Sequence, residues 1–203
     1  MSAEISAAQV KELRERTQAG VMDAKSALGE AGGDMDKAAE ILRVKSQASA
    51  AKRAGRGTGE GVVASYVHAN RKIGALVEVQ CETDFVARNE DFQAFAYEVA
   101  LHIAAADPSV VSADEISESE RETERRLHEQ KAREEGKPDQ VIEKIVDGQL
   151  AKWAKDAALL QQQHVNVDKH DGKSIEEMRA EIASKTGENI RIARFARFLV
   201  GQE

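Results

Sequence analysis

Apolar residues recur at helical spacing through the first 44 positions, alternate at strand spacing from Ile73 to Cys81, and return to helical spacing after Asn89. Ser6 followed by Gln9 forms a capping box, and Val10, Leu13 and Thr17 then share one helical face that Gly20 ends. A second helix is predicted from about Met22 to Leu28. Gly32 and Gly33 break the chain, Asp34 can cap a third helix, and Ala38, Ile41 and Leu42 form the inner face of that helix. Helices this short bury little surface, so residues 1–44 read as a small recognition module more readily than as a catalytic one.

Residues 45–61 (KSQASAAKRAGRGTGEG) are small, Gly-containing and without apolar periodicity, and Lys45, Lys52, Arg53 and Arg56 make them basic. They read as a flexible linker. Val62–His68 reads as a strand, Ala69-Asn70-Arg71 as a turn, and the second strand comes next. Its one face is Ile73, Ala75, Val77, Val79 and Cys81; Leu76, Glu78, Gln80 and Glu82 take the other. Asn89 caps a helix whose Phe92, Phe95, Ala96, Val99, Ala100 and Ile103 must pack on this hairpin. Residues 112–135 are helical and heavily charged, with Ser117 and Glu120 as a second capping box; such a helix projects into solvent or docks on a partner. Pro138 opens another helix with Ile142, Ile145, Val146, Gln149 and Trp153 on one stripe. Ser174 with Glu177 caps a further helix carrying Ile175, Met178 and Ile182, which Thr186-Gly187 stops. A last strand runs from Ile190 to Val200, with Ile190, Ile192, Ala196, Phe198 and Val200 on one face. The predicted class is α+β: a three-helix N-terminal module, a linker, and from residue 62 to 203 a small antiparallel sheet covered by helices, with the charged helical segment at about 112–163.

Composition narrows the function classes. The chain has 203 residues, enough for one medium domain or two small ones. Aromatics are only 4%, so the core must rely on Ala, Val, Ile and Leu. A net charge of −7 argues against bulk attraction to nucleic acid, and the basic linker lacks the aromatics of a stacking surface. No window approaches the roughly 18 apolar residues of a membrane span. No charged start precedes an apolar run, and Glu4 argues against a transit peptide, so a cytoplasmic protein is expected. Cys81 is the one cysteine, at strand parity for the core, which disfavours a nucleophilic role. The stretch HVNVDKHDG at 164–172 holds two histidines and two aspartates but lacks calcium-loop and helical metal spacing. No phosphate loop is present. Neither metal, cofactor nor bond-making chemistry is expected.

The segment that fits no periodic pattern is Cys81-Glu82-Thr83-Asp84-Phe85-Val86-Ala87-Arg88-Asn89, joining the second strand to the Asn89-capped helix. Phe85 lies outside both apolar faces. It either tucks under its own loop or is held out as an anchor for a partner's pocket, the kind of side chain that commonly carries much of an interface's energy.

The run TDFVARN, preceded by CE, resembles the signature loop of the elongation factor Ts family. LRERTQAGVMDAKSAL followed by EAGGDMDKAAEILR is similar to that family's N-terminal module, which resembles a ubiquitin-associated fold; GVVASYVHANRKIGALVEV looks like its core hairpin; EEGKPDQVIEKIVDGQLAKW looks like a later core helix. Gln18 and Ala24 depart from the family pattern, where a glycine and often a cysteine are expected. The chain also holds one copy of a core that longer members carry as two related halves, which implies a short form.

The resemblance implies a guanine nucleotide exchange factor for elongation factor Tu, acting in translation elongation on the GDP-bound and nucleotide-free GTPase. It assigns Thr83, Asp84, Phe85 and Val86 to the contact that disturbs the partner's Mg²⁺ site. It carries over Arg14, Val21, Met22 and Lys25 as N-terminal contacts, with Met22 alternatively part of the core, and Tyr66 and His68 as hairpin contacts to another domain. A single core implies a homodimer that restores a second contact surface, and sheet edges invite such pairing. The rival class is a non-enzymatic helical adapter with a ubiquitin-associated-like module, which leaves the TDFVARN loop without a reason.

Overall fold

The computed structural model describes residues 5–17 and 19–202; the readings attached to Glu4 and Gln18 fall outside them. Eight α-helices and a three-stranded antiparallel sheet of order β1-β2-β3 make the described chain α+β, as expected. Its contacts divide it into two compact units. The first is Met1–Ala64, Val77–Glu98 and Glu177–Ala193; the second is Ser65–Leu76, Val99–Glu176 and Arg194–Glu203.

In the first unit, α1 (Ala7–Thr17), α2 (Val21–Glu30) and α3 (Met35–Arg53) enclose Val10, Leu13, Ala24, Ala27, Leu28, Ala38 and Leu42. Leu13 and Leu28 are fully buried and contribute about 1.5–3 kcal/mol each. The Ser6 capping box forms as read: Gln9 N–H donates to Ser6 Oγ, and Ser6 N–H to Gln9 Oε1. Asp34 Oδ1 caps α3 by accepting from the amides of Asp36 and Lys37. α3 does not stop near residue 44. It continues to Arg53 through the stretch read as linker, because Ala, Ser, Gln and Lys sustain a helix without an apolar stripe to betray it. Ser46 Oγ donates to Ala180 O, and Arg43 pairs with Glu177 at 3.1 Å, tying this helix to a later one.

β1 (Glu60–Val67) and β2 (Ile73–Cys81) form the hairpin, with His68 N–H bonded to Ile73 O and Arg71 at φ 56° in the turn. Gly61 is required where β2 passes alongside: a Cβ there would run into the Val79 carbonyl. The β2 alternation is as read, with Ala75, Val77, Val79 and Cys81 buried. α4 (Asp84–Ala87) is one turn long, and α5 (Glu90–Ala106) buries Phe92, Phe95, Ala96, Val99, Ala100 and Ile103. α8 (Ile175–Thr186) ends at Gly187, φ 75°, and leads to β3 (Arg191–Leu199). The apolar stripe read along β3 shares a face but not a fate. Ile190 and Ile192 are buried, whereas Phe198 and Val200 are exposed.

In the second unit, α6 (Glu118–Glu134) lies antiparallel to α7 (Asp139–Ala157). The Ser117–Glu120 capping box starts α6 as read, and Pro138 stands at the N-cap of α7. The charged helix thus has its docking surface within the chain. Ala132, Ile142 and Val146 form a small core beside Leu150, and Arg125 pairs with Asp147 at 3.0 Å. So thin an apolar seam explains why α6 reads as polar throughout.

Candidate functional site

The strand-to-helix segment of the first unit is more ordered than a loop. Thr83 is extended and caps α4, its Oγ1 accepting from Val86 N–H at 3.4 Å. Cys81 Sγ lies 3.2 Å from Thr83 O, and Asn89 Oδ1 accepts from the amides of Asp91 and Phe92 to start α5. The two caps leave a single helical turn whose one buried residue is Ala87. Phe85 sits on this turn with 81% of its surface exposed, which removes the alternative that it tucks under its own loop. Asp84 pairs with Arg88 at 3.0 Å, one turn along the same face. A large apolar ring is therefore displayed beside a carboxylate whose charge is partly balanced, on a backbone held by polar ties.

Those ties come largely from residues distant in sequence. Glu188 accepts three hydrogen bonds from Glu82 and Thr83, and Asn189 N–H donates to Glu82 Oε1 at 2.6 Å. Neither residue belongs to a motif or a periodic pattern in the sequence. Nothing local marks them, and only the close approach of the α8–β3 turn to the end of β2 brings them in. Burial, then the charge of Glu188, pushes the Cys81 thiol up to about 11, so it stays a thiol at neutral pH and is a poor nucleophile.

Among the other named residues, Val21 and Met22 are exposed on α2, Met22 by 76%, so Met22 is not core. Lys25 is exposed one turn further on, and Arg14 Nε donates to Ala19 O ahead of that helix. Tyr66 and His68 belong to the second unit, where the Tyr66 hydroxyl lies 3.1 Å from His68 Nδ1.

The second unit also buries two histidines. His102 Nε2 bonds Gln162 Oε1 at 2.8 Å and its Nδ1 accepts from Val165 N–H at 3.2 Å. His164 stacks at 5.4 Å from it and accepts from Asn166 N–H through Nδ1. Desolvation, reinforced by His164 and opposed by the Gln162 hydrogen bond, pulls His102 down to about 4. His102 therefore takes part in the packing of this unit as a neutral hydrogen-bonding group, with the His164 ring stacked on it.

Comparison with known proteins bears on the whole chain. Residues 4–171 match the family model described as elongation factor Ts. A protein of Geobacter metallireducens named elongation factor Ts is 52% identical over 98% of this chain and 90% of its own length. Proteins of the same name from Nitratidesulfovibrio vulgaris and Thermosipho melanesiensis are 50% and 47% identical, covering 98% and 100% of their own lengths.

Proposed function

The chain belongs to the elongation factor Ts family, and we propose that it is a guanine nucleotide exchange factor for elongation factor Tu that inserts Phe85 beside the GTPase's Mg²⁺ site. The observation that carries this reading is the 81% exposure of a phenylalanine on a capped, carboxylate-pinned turn. A free ring of this size gains roughly 1.5–3 kcal/mol when a partner buries it.

Exchange requires that the factor bind the nucleotide-free GTPase better than the GDP complex. Coupling is reciprocal, so GDP weakens the factor and GTP later expels it. A thousandfold faster release corresponds to about 4 kcal/mol of barrier. Phe85 alone falls short of that, and further contacts must add to it. Thr83 and Val86 shape the turn, and Asp84 acts near the elements that order Mg²⁺ and need not ligate the metal. Arg14, Val21, Met22 and Lys25 anchor the three-helix module to another face of the GTPase domain, and Tyr66 and His68 reach a different domain. No bond is made or broken by this chain. The work takes place in the cytoplasm through protein faces, in keeping with a net charge of −7.

The working form is a homodimer. β1 and β3 are the sheet's outer strands, and in the second unit Val67, Leu76, Phe198 and Val200 expose apolar side chains on one face of it. An exposed apolar face of this kind invites a second copy. The exchange reading is tested by following fluorescent GDP leaving elongation factor Tu with wild-type chain and with Phe85→Ala; equal rates for the two would overturn it.

A further inference from the structure

A four-residue helix cannot hold itself, because one turn fixes several dihedrals for one hydrogen bond. α4 buries only Ala87, so its conformation depends on ties at its ends. At the C-terminal end Asn89 starts α5 and Gln93 Nε2 donates to Ala87 O at 3.2 Å. At the N-terminal end the tie comes from more than a hundred residues away in sequence. Gly187 takes a left-handed conformation that strains any other residue, reverses the chain after α8, and delivers Glu188 to the end of β2.

The Glu188 carboxylate is spent on this one segment. Oε2 accepts from Glu82 N–H at 2.9 Å and Thr83 N–H at 3.1 Å; Oε1 accepts the Thr83 hydroxyl hydrogen at 2.6 Å. With its hydrogen directed to Glu188, the Thr83 oxygen turns its lone pairs to Val86 N–H and caps α4. Asn189 holds the Glu82 side chain, whose carboxylate also lies 3.4 Å from Arg56. Hydrogen bonds to an ionised acceptor are roughly twice as strong as neutral ones.

We infer that Glu188 is a positioning residue for exchange: through Thr83 it fixes the direction in which Asp84 and Phe85 are presented to the GTPase. This rests on the exchange reading of the same loop. The Thr83 amide freed in a Glu188 variant can be hydrated, because Thr83 is exposed, and Glu82 is only half-buried, so the main loss is preorganisation of the turn. That loss falls on the step in which GDP leaves, while docking through the N-terminal helices persists.

The experiment follows fluorescent GDP release from elongation factor Tu with wild type, Glu188→Ala, Glu188→Gln, Phe85→Ala and the Phe85→Ala/Glu188→Ala double variant, with thermal melts of each. Glu188→Ala should lower the saturating release rate about tenfold and move the half-saturating concentration less than about twofold. Glu188→Gln keeps a carbonyl for the two amides and should recover to within about threefold of wild type. The double variant should be slower than Phe85→Ala by much less than the tenfold that Glu188→Ala costs alone, because Glu188 acts through the turn that presents Phe85 and only the share carried by Asp84 is left to lose. A wild-type rate for Glu188→Ala beside a slow Phe85→Ala overturns the inference and leaves the exchange reading standing. A wild-type rate for Phe85→Ala sinks the reading itself. Additive slowing in the double variant, or a collapsed melt that Glu188→Gln does not restore, makes Glu188 a general structural support and also overturns the inference.

Discussion

Two places in this chain reverse the usual sorting of side chains, in opposite directions. The turn at residues 83–87 exposes a phenylalanine, and the interior of the second unit encloses His102 and His164. On the proposed reading the first is a cost of function. Polar ties from Glu188, Thr83 and Asn89 hold a ring outside any core, where its apolar surface can be recovered only by a partner. The second is an ordinary cost of folding, met internally. Gln162 and the Val165 amide satisfy both ring nitrogens of His102, which stays neutral, and the Asn166 amide donates to His164 Nδ1. Exposed apolar surface held by a polar scaffold points to a partner, whereas buried polar groups with satisfied bonds point to packing.

The sharpest separation of the two is by acid. His102 titrates at about 4 in the folded chain against an ordinary 6.5. As pH falls below 6.5 the unfolded chain takes up a proton that the folded chain refuses, so stability declines until about pH 4 and is level below it. The loss at that point is about 3 kcal/mol from this group. Denaturant melts between pH 7.5 and 4 should show it, and His102→Gln should flatten the acid limb. Parallel limbs would mean that protonation of His102 is not what weakens the fold in acid.

Next in size is Phe85→Ala, which should cut the saturating exchange rate by about 2 kcal/mol, roughly thirtyfold, and leave the melting temperature unchanged. A lowered melt would move Phe85 from the display class to the core class. Met22→Ala should raise the half-saturating concentration roughly fivefold, about 1 kcal/mol, without altering the saturating rate, since Met22 is displayed on a helix predicted to anchor. A change in the saturating rate alone would dissolve the distinction between anchoring and acting residues. Smallest is Phe198→Ser. Light scattering at micromolar concentration should fall from the mass of two chains to that of one, with exchange reduced by about half. A wild-type chain that scatters as a monomer at full activity would remove the dimer.

Much of the fold was legible because its signals are local and periodic. β2 alternates because one face is buried, and Asn89 and Ser117 announce helices because a side-chain oxygen must meet the first amides. α3 ran past its reading because a helix of Ala, Ser and Lys carries no stripe. Alternation along β3 gives the right parity, yet Phe198 is exposed because parity assigns a face and not what covers it. α4 is too short for any period to show, so Phe85 was marked only by belonging to no pattern. Glu188 gave no sign at all: its partners are Glu82 and Thr83, and sequence spacing holds no trace of such a contact.

On the proposed reading this chain opens the nucleotide site of a GTPase. Elongation factor Tu charged with fluorescent GDP, mixed in stopped flow with excess unlabelled GDP and rising concentrations of the chain, tests it directly. Release should accelerate by orders of magnitude and saturate as the GTPase is occupied. A stable complex from which GDP leaves at its intrinsic rate would contradict it and make the chain a binding partner that does not exchange nucleotide.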